Sequence, residues 1–151
     1  MKNIAIAALS VVLAASFPAS AGQRTQTIEA DCQIVIADGW IRLLPGGMPM
    51  HAGFARIENH CSKAVEIVAA TSPVYAEVEL HETTRAQGVS RMRQIPALPI
   101  AARGQARLQP GGLHLMLMRP QRPLQAGEQV EIYFRLADGR QIAAKFEARE
   151  P

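Results

Sequence analysis

The sequence predicts an all-β domain, a Greek-key sandwich or barrel, on three observations. Beyond the leader, no stretch of ten or more residues shows helical periodicity. Short apolar or alternating runs recur instead, separated by Gly, Pro, Asn and Asp. The chain is 48% hydrophobic, enough for one buried core, and the roughly 130 residues left after the leader are the size of a single domain.

Nine strands are expected, in order. Residues 33–44 are rich in Ile, Val and Trp and stop at Pro45-Gly46-Gly47. Residues 52–58 form a short run carrying Phe54 and Ile57, and 64–70 carry Val65, Ile67 and Val68. Residues 77–83 alternate glutamates with Val78 and Leu80. Residues 84–88 then read as a five-residue hairpin connection to 89–95. Residues 105–108 precede Pro110-Gly111-Gly112, which breaks one strand and starts the next, 113–118. The last two, 129–136 and 141–148, flank Asp138-Gly139, the strongest hairpin signal in the chain. There is no internal repeat, low-complexity tract or interdomain linker.

The amino terminus reads as a secretory signal. Lys2 is followed by an apolar run over residues 4–15 and by Ala19-Ser20-Ala21, an Ala-x-Ala cleavage site. The run is shorter than the roughly 20 residues a spanning helix needs. Residues 1–21 are therefore expected to be a signal peptide and 22–151 one exported domain, periplasmic and without stable membrane insertion. A lipid anchor would need a cysteine at the cleavage point, and Cys32 lies well beyond it. An exported chain with two cysteines is expected to pair them, Cys32 with Cys61. Free thiols or thiol ligands are the alternatives. Neither belongs to a C-x-x-C pair, so thiol exchange is not indicated. The net charge of +3 is carried by scattered arginines, which gives no concentrated face for nucleic acid.

Chemistry concentrates in Leu113-His114-Leu115-Met116-Leu117-Met118. Alternate side chains of a strand point to opposite faces, so His114, Met116 and Met118 share one face while the leucines take the other. Upstream, His81 ends an alternating run and Met92 lies across the expected hairpin. With a five-residue loop, positions whose numbers sum to about 172 face each other, which makes His81 and Met92 near neighbours. Two histidines and two methionines from three strands form a soft, neutral donor set that favours Cu(I) over Zn(II), Ca(II) or Mg(II). Strand alternation leaves packing open as well, since a lone Met is ordinarily core filling.

The spacing itself carries a resemblance. His81, ten intervening residues, Met92, twenty-one intervening residues, then His114-x-Met116 resembles the motif of the PCu(A)C family of periplasmic copper chaperones. The similarity extends through Val78-Glu79-Leu80-His81-Glu82, Gly88-Val89-Ser90-Arg91-Met92, Pro110-Gly111-Gly112-Leu113-His114-Leu115-Met116-Leu117-Met118 and Pro123-Leu124-x-x-Gly127. It implies a cupredoxin-like barrel and one Cu(I) held by His81, Met92, His114 and Met116. It also implies delivery toward cytochrome oxidase copper centres, with an oxidase subunit or a Sco-type chaperone as receiving partner and this chain acting as a monomer. Two features depart from the family: Glu82 follows the first histidine where some members carry a methionine, and no His- and Met-rich tail follows the last strand.

Met48-Pro49-Met50-His51 reads as a loop cluster, either an auxiliary copper pick-up site or methionines covering an apolar patch. His60 reads as a solvated loop residue, Met118 as packing beside the site, and Arg91 and Arg93 as a face opposite Met92 suited to an acidic partner. A blue-copper carrier would need a thiolate ligand, and a copper monooxygenase of the N-terminal histidine type would need His where Gly22 stands. Neither G-x-S-x-G nor H-E-x-x-H occurs, so no enzyme is indicated. A copper buffer, and an exported β-sandwich interaction module without metal, are the alternatives to delivery.

Overall fold

A computed structural model describes residues 32–151; the expected signal peptide and its cleavage site lie outside them. Ten strands are present among the described residues: β1 (Ile34–Arg42), β2 (Met50–Asn59), β3 (Val65–Thr71), β4 (Tyr75–Ala86), β5 (Val89–Gln94), β6 (Leu98–Ile100), β7 (Gln105–Leu108), β8 (Leu113–Pro120), β9 (Gln129–Leu136) and β10 (Gln141–Arg149). They hydrogen-bond in the order β5-β4-β8-β7-β2-β1-β10-β9-β3-β6, with β8 also pairing β2. This is a cupredoxin-like β-sandwich. Among the described residues no helix is long and apolar enough to cross a membrane.

Strand alternation builds the core. In β9, Val130, Ile132, Phe134 and Leu136 are buried while Gln129, Glu131 and Arg135 are exposed. Phe134 stacks on Phe146 of β10 with ring centroids 6.1 Å apart. Leu115 and Leu117 of β8 are fully buried beside Ile41 and Ile57, each such side chain stabilising the fold by roughly 1.5–3 kcal/mol. Cys32 and Cys61 are joined, S–S 2.01 Å, tying the segment before β1 to the turn after β2.

A bulge in β1 aims the residues that matter later. Ala37 pairs with Arg56, but Trp40 pairs with Phe54 and Arg42 with Ala52, so β1 carries one extra residue around Asp38-Gly39. Asp38 has φ of 56°, and a side chain at Gly39 would come within 2.8 Å of the Lys145 carbonyl. The buried parity accordingly shifts from Ile34 to Ile41, and Trp40 and Arg42 turn to the opposite face.

Three expectations are corrected. A tenth strand, β6, was not foreseen, because it is three residues long and centred on Pro99; it lies at the edge of the sheet, where a proline costs no ladder bond. Met50 and His51 open β2 and are not part of a loop. The β4–β5 connection has two residues, not five: Ala86 pairs with Val89, with Gln87 and Gly88 both at positive φ, 52° and 77°. This is the primed geometry that matches strand twist, and Gln is an uncommon residue for its first position. The register therefore sums to 175, as in Thr83 with Met92 and His81 with Gln94; His81 is not directly opposite Met92.

Candidate metal centre

The four predicted residues stand on one face of three adjacent strands. His81 and His114 are Cα partners in the β4–β8 ladder, and Glu79 is the partner of Met116. Met92 of β5 is opposite Thr83, two residues from His81 and on the same face. Leu115 and Leu117 take the inner face, which leaves His114 and Met116 for the outer one.

Each imidazole is oriented by a second partner. His114 Nδ1–H donates to the Gly112 carbonyl at 2.9 Å, so the Nε2 lone pair is directed outward, 3.2 Å from Met92 Sδ. Gly112 is set there by the Pro110–Gly112 turn, where Gly111 has φ of +79° and where the Gly112 carbonyl also accepts from Thr83 N–H at 3.0 Å. His81 Nε2–H donates to Glu79 Oε2 at 2.9 Å. Its Nδ1 is buried and has no hydrogen-bond partner among the described residues. The two rings are 5.9 Å apart between centroids. A buried lone pair without a donor is costly, and a nitrogen lone pair facing a thioether sulfur gains nothing from it. Both contacts become favourable if the donors share a cation. A ligating histidine held through its other nitrogen by a carboxylate or carbonyl is the usual support for a metal.

Met50, Phe54, Met92, His114 and Met116 line a cavity of about 190 Å³ with Arg42 at its edge. Met92 is 55% exposed, so one residue of the set is open to solvent. Among the described residues no group of three or more His, Cys, Asp or Glu side chains is placed to hold a metal.

The remaining sequence candidates separate. Met50 is the Cα partner of Met118 and shares the cavity with Met92 and Met116. His51, its neighbour on β2, is buried and instead pairs through Nδ1 with Tyr75 Oη at 2.8 Å. Burial lowers the His51 pKa and raises that of Tyr75, the latter with help from the charge of Glu128. Met48 is exposed in the preceding loop. Met50 and His51 thus both border the cavity, while His51 also lines a neighbouring cleft with Met48. His60 bonds Glu58 at 3.1 Å on the surface, and Arg93 pairs with Glu82 at 2.6 Å on the face away from Met92.

Sequence reasoning did not name Glu79, Phe54 or Arg42 as parts of this site. Alternation back from His81 reaches Glu79, and alternation from Met50 reaches Phe54. Arg42 was hidden by the bulge, which no spacing rule anticipates.

The model of the family described as "Putative lipoprotein LpqE-like" matches residues 34–148. The chain belongs to the LpqE-like family. This LpqE-like chain is 33% identical over 127 residues to "Putative lipoprotein Lxx21020" of Leifsonia xyli subsp. xyli, covering 83% of this chain and 74% of that protein. It is similar to the solution structure of Cu(I)-DR1885 from Deinococcus radiodurans, at TM-score 0.64 and 28% identity, over 83% of this chain and 85% of that one. It also shares the fold of the copper-bound PCuAC domain from PmoF2, at TM-score 0.66 and 15% identity, over 81% and 97% of the two chains. The resemblance seen in the sequence is thus a resemblance of fold: the LpqE-like chain has the PCuAC architecture.

Proposed function

We propose that this protein is an exported copper chaperone that holds one Cu(I) through His81, Met92, His114 and Met116 and passes it to a copper-receiving protein. The observation that carries the reading is the 3.2 Å approach of Met92 Sδ to the His114 Nε2 lone pair, beside the unpartnered Nδ1 of His81. Copper in the solved structures of Cu(I)-DR1885 and the PmoF2 domain supports it. The donor set is neutral and soft, which suits Cu(I).

The geometry also suits release. Met92 is the exposed donor on an edge strand. An incoming donor from the receiving protein would displace its sulfur first, while His81 and His114 stay anchored by Glu79 and Gly112. Met50, sharing the cavity, is the nearest candidate for an auxiliary sulfur. The receiving protein is a periplasmic copper protein, an oxidase subunit or a Sco-type chaperone. Export agrees with the lipoprotein names of the relatives, and in this chain the Cys32 sulfur is committed to Cys61.

X-ray absorption on the reduced, copper-loaded protein tests the site. Two nitrogen and two sulfur neighbours around copper are expected, and His114→Ala should lose one nitrogen. A first shell of nitrogen and oxygen alone refutes the assignment. Delivery is tested by oxidase activity of a deletion strain at limiting copper, which falls if this chain supplies the metal.

A further inference from the structure

Arg42 stands without a carboxylate partner among the described residues. Its guanidinium lies over the Phe54 ring, 5.4 Å from the centroid. Its Nε is buried and has no hydrogen-bond partner among the described residues. Neighbouring arginines are neutralised locally, Arg93 by Glu82, Arg119 by Glu77 and Arg149 by Glu147. Arg42 and Arg85 have no such carboxylate among the described residues. These two arginines, with Pro110 and Gly111, line one open cleft of about 460 Å³. Arg42 and the Pro110-Gly111 turn also border the His–Met cavity, so cleft and cavity adjoin. At Gly111 a Cβ would meet nothing within 4 Å, so this wall leaves room for an incoming group.

We infer that Arg42 and Arg85 form a carboxylate-binding subsite at the mouth of the His–Met cavity. A guanidinium with no carboxylate beside it leaves its donors to solvent, and an oxygen acceptor in the cleft pairs them. With one face of the guanidinium on Phe54 and its Nε shielded, an acceptor in the cleft approaches the terminal N–H groups, which present two parallel donors. A planar carboxylate meets both in one plane. Arg85, on the exposed end of β4, supplies the second positive charge from across the cleft. The donors of the adjoining cavity are neutral, so nothing there competes for the arginines. The carboxylate comes either from a free small acid or from an Asp or Glu side chain of another protein brought against the cavity mouth. The inference does not depend on which metal the cavity holds.

The test follows the arginine Nε–H signals of isotope-labelled, metal-free protein by NMR during titration with acetate, with a capped Gly-Asp-Gly peptide and with inorganic phosphate. Saturable shifts at Arg42 and Arg85 with acetate or peptide are expected. Arg85→Gln, whose fold is checked by its amide spectrum, should weaken binding at Arg42 on the order of tenfold, and added salt should weaken it further. Peptide binding tighter than acetate assigns the carboxylate to a protein side chain, and the reverse assigns it to a free acid. Either outcome supports the subsite. Absence of a saturable shift at Arg42, equal affinity in Arg85→Gln, or tighter binding of phosphate than of both carboxylates overturns it.

Discussion

Met92 Sδ reaches His114 Nε2 at 3.2 Å although their strands are not neighbours: β4 lies between β5 and β8, and the Met92 side chain crosses the Thr83 position to make the contact. The contact joins an exposed residue of an edge strand to a buried one on an interior strand. An exposed thioether contributes little to the core, so Met92→Leu should change stability by no more than about 0.5 kcal/mol. Its Cu(I) affinity, read by competition against a chelator, should fall on the order of tenfold or more, as a metal site does when a supporting contact is lost. Unchanged affinity would remove Met92 from the donor set.

Glu79 acts on the site through His81. Its carboxylate accepts from His81 Nε2–H at 2.9 Å and leaves Nδ1 as the free donor. Glu79→Gln keeps the shape but offers the imidazole a weaker and less directional acceptor. Cu(I) affinity should drop roughly 10–100-fold with the copper stoichiometry unchanged. The measurement is a chelator competition together with the copper content of the saturated protein; a fall in stoichiometry to zero would make Glu79 structural.

The Cys32–Cys61 bond closes a loop with a sequence separation of 29. Replacing both cysteines by serine should lower stability by about 2–4 kcal/mol in urea unfolding, through the extra freedom of the unfolded chain. Neither sulfur belongs to the proposed donor set, so copper affinity should be unchanged in the folded fraction. Alkylation of the unreduced wild-type protein should label no cysteine.

His51 ties stability to pH. Burial holds its folded pKa below the ordinary imidazole value. As pH falls, the unfolded chain takes up this proton before the folded one does. The contribution of His51 is therefore complete above about pH 6.5, the ordinary imidazole value, and is lost as pH drops from there toward the depressed folded value. The loss is bounded by about 1.4 kcal/mol per pH unit for one proton. His51→Gln, which retains a partner for the Tyr75 hydroxyl, should show a shallower decline of unfolding midpoint between neutral and mildly acidic pH. Parallel curves for the two proteins would assign the acid sensitivity to other groups.

Much of this fold is legible in the sequence. Nine of the ten strands follow from short apolar or alternating runs between turn residues, and alternation is clearest in β9, where every second residue is buried. Asp138-Gly139 marked its hairpin, with Gly139 at φ of +89°. The sharing of one face by His114 and Met116 also follows from alternation, whichever strands lie beside them.

What the chain could not announce is which strand lies against which, and in what register. Gln87-Gly88 closes a two-residue turn because both residues take positive φ. Only that geometry moves Met92 from opposite His81 to opposite Thr83 and within reach of His114. The bulge at Asp38-Gly39 likewise reverses the faces of β1 and brings Arg42 over Phe54. Alternation is a local property, set by each residue's own side chain and backbone. Register is a long-range compromise among turn geometry, strand twist and the filling of one core, and it exists only once the strands are packed.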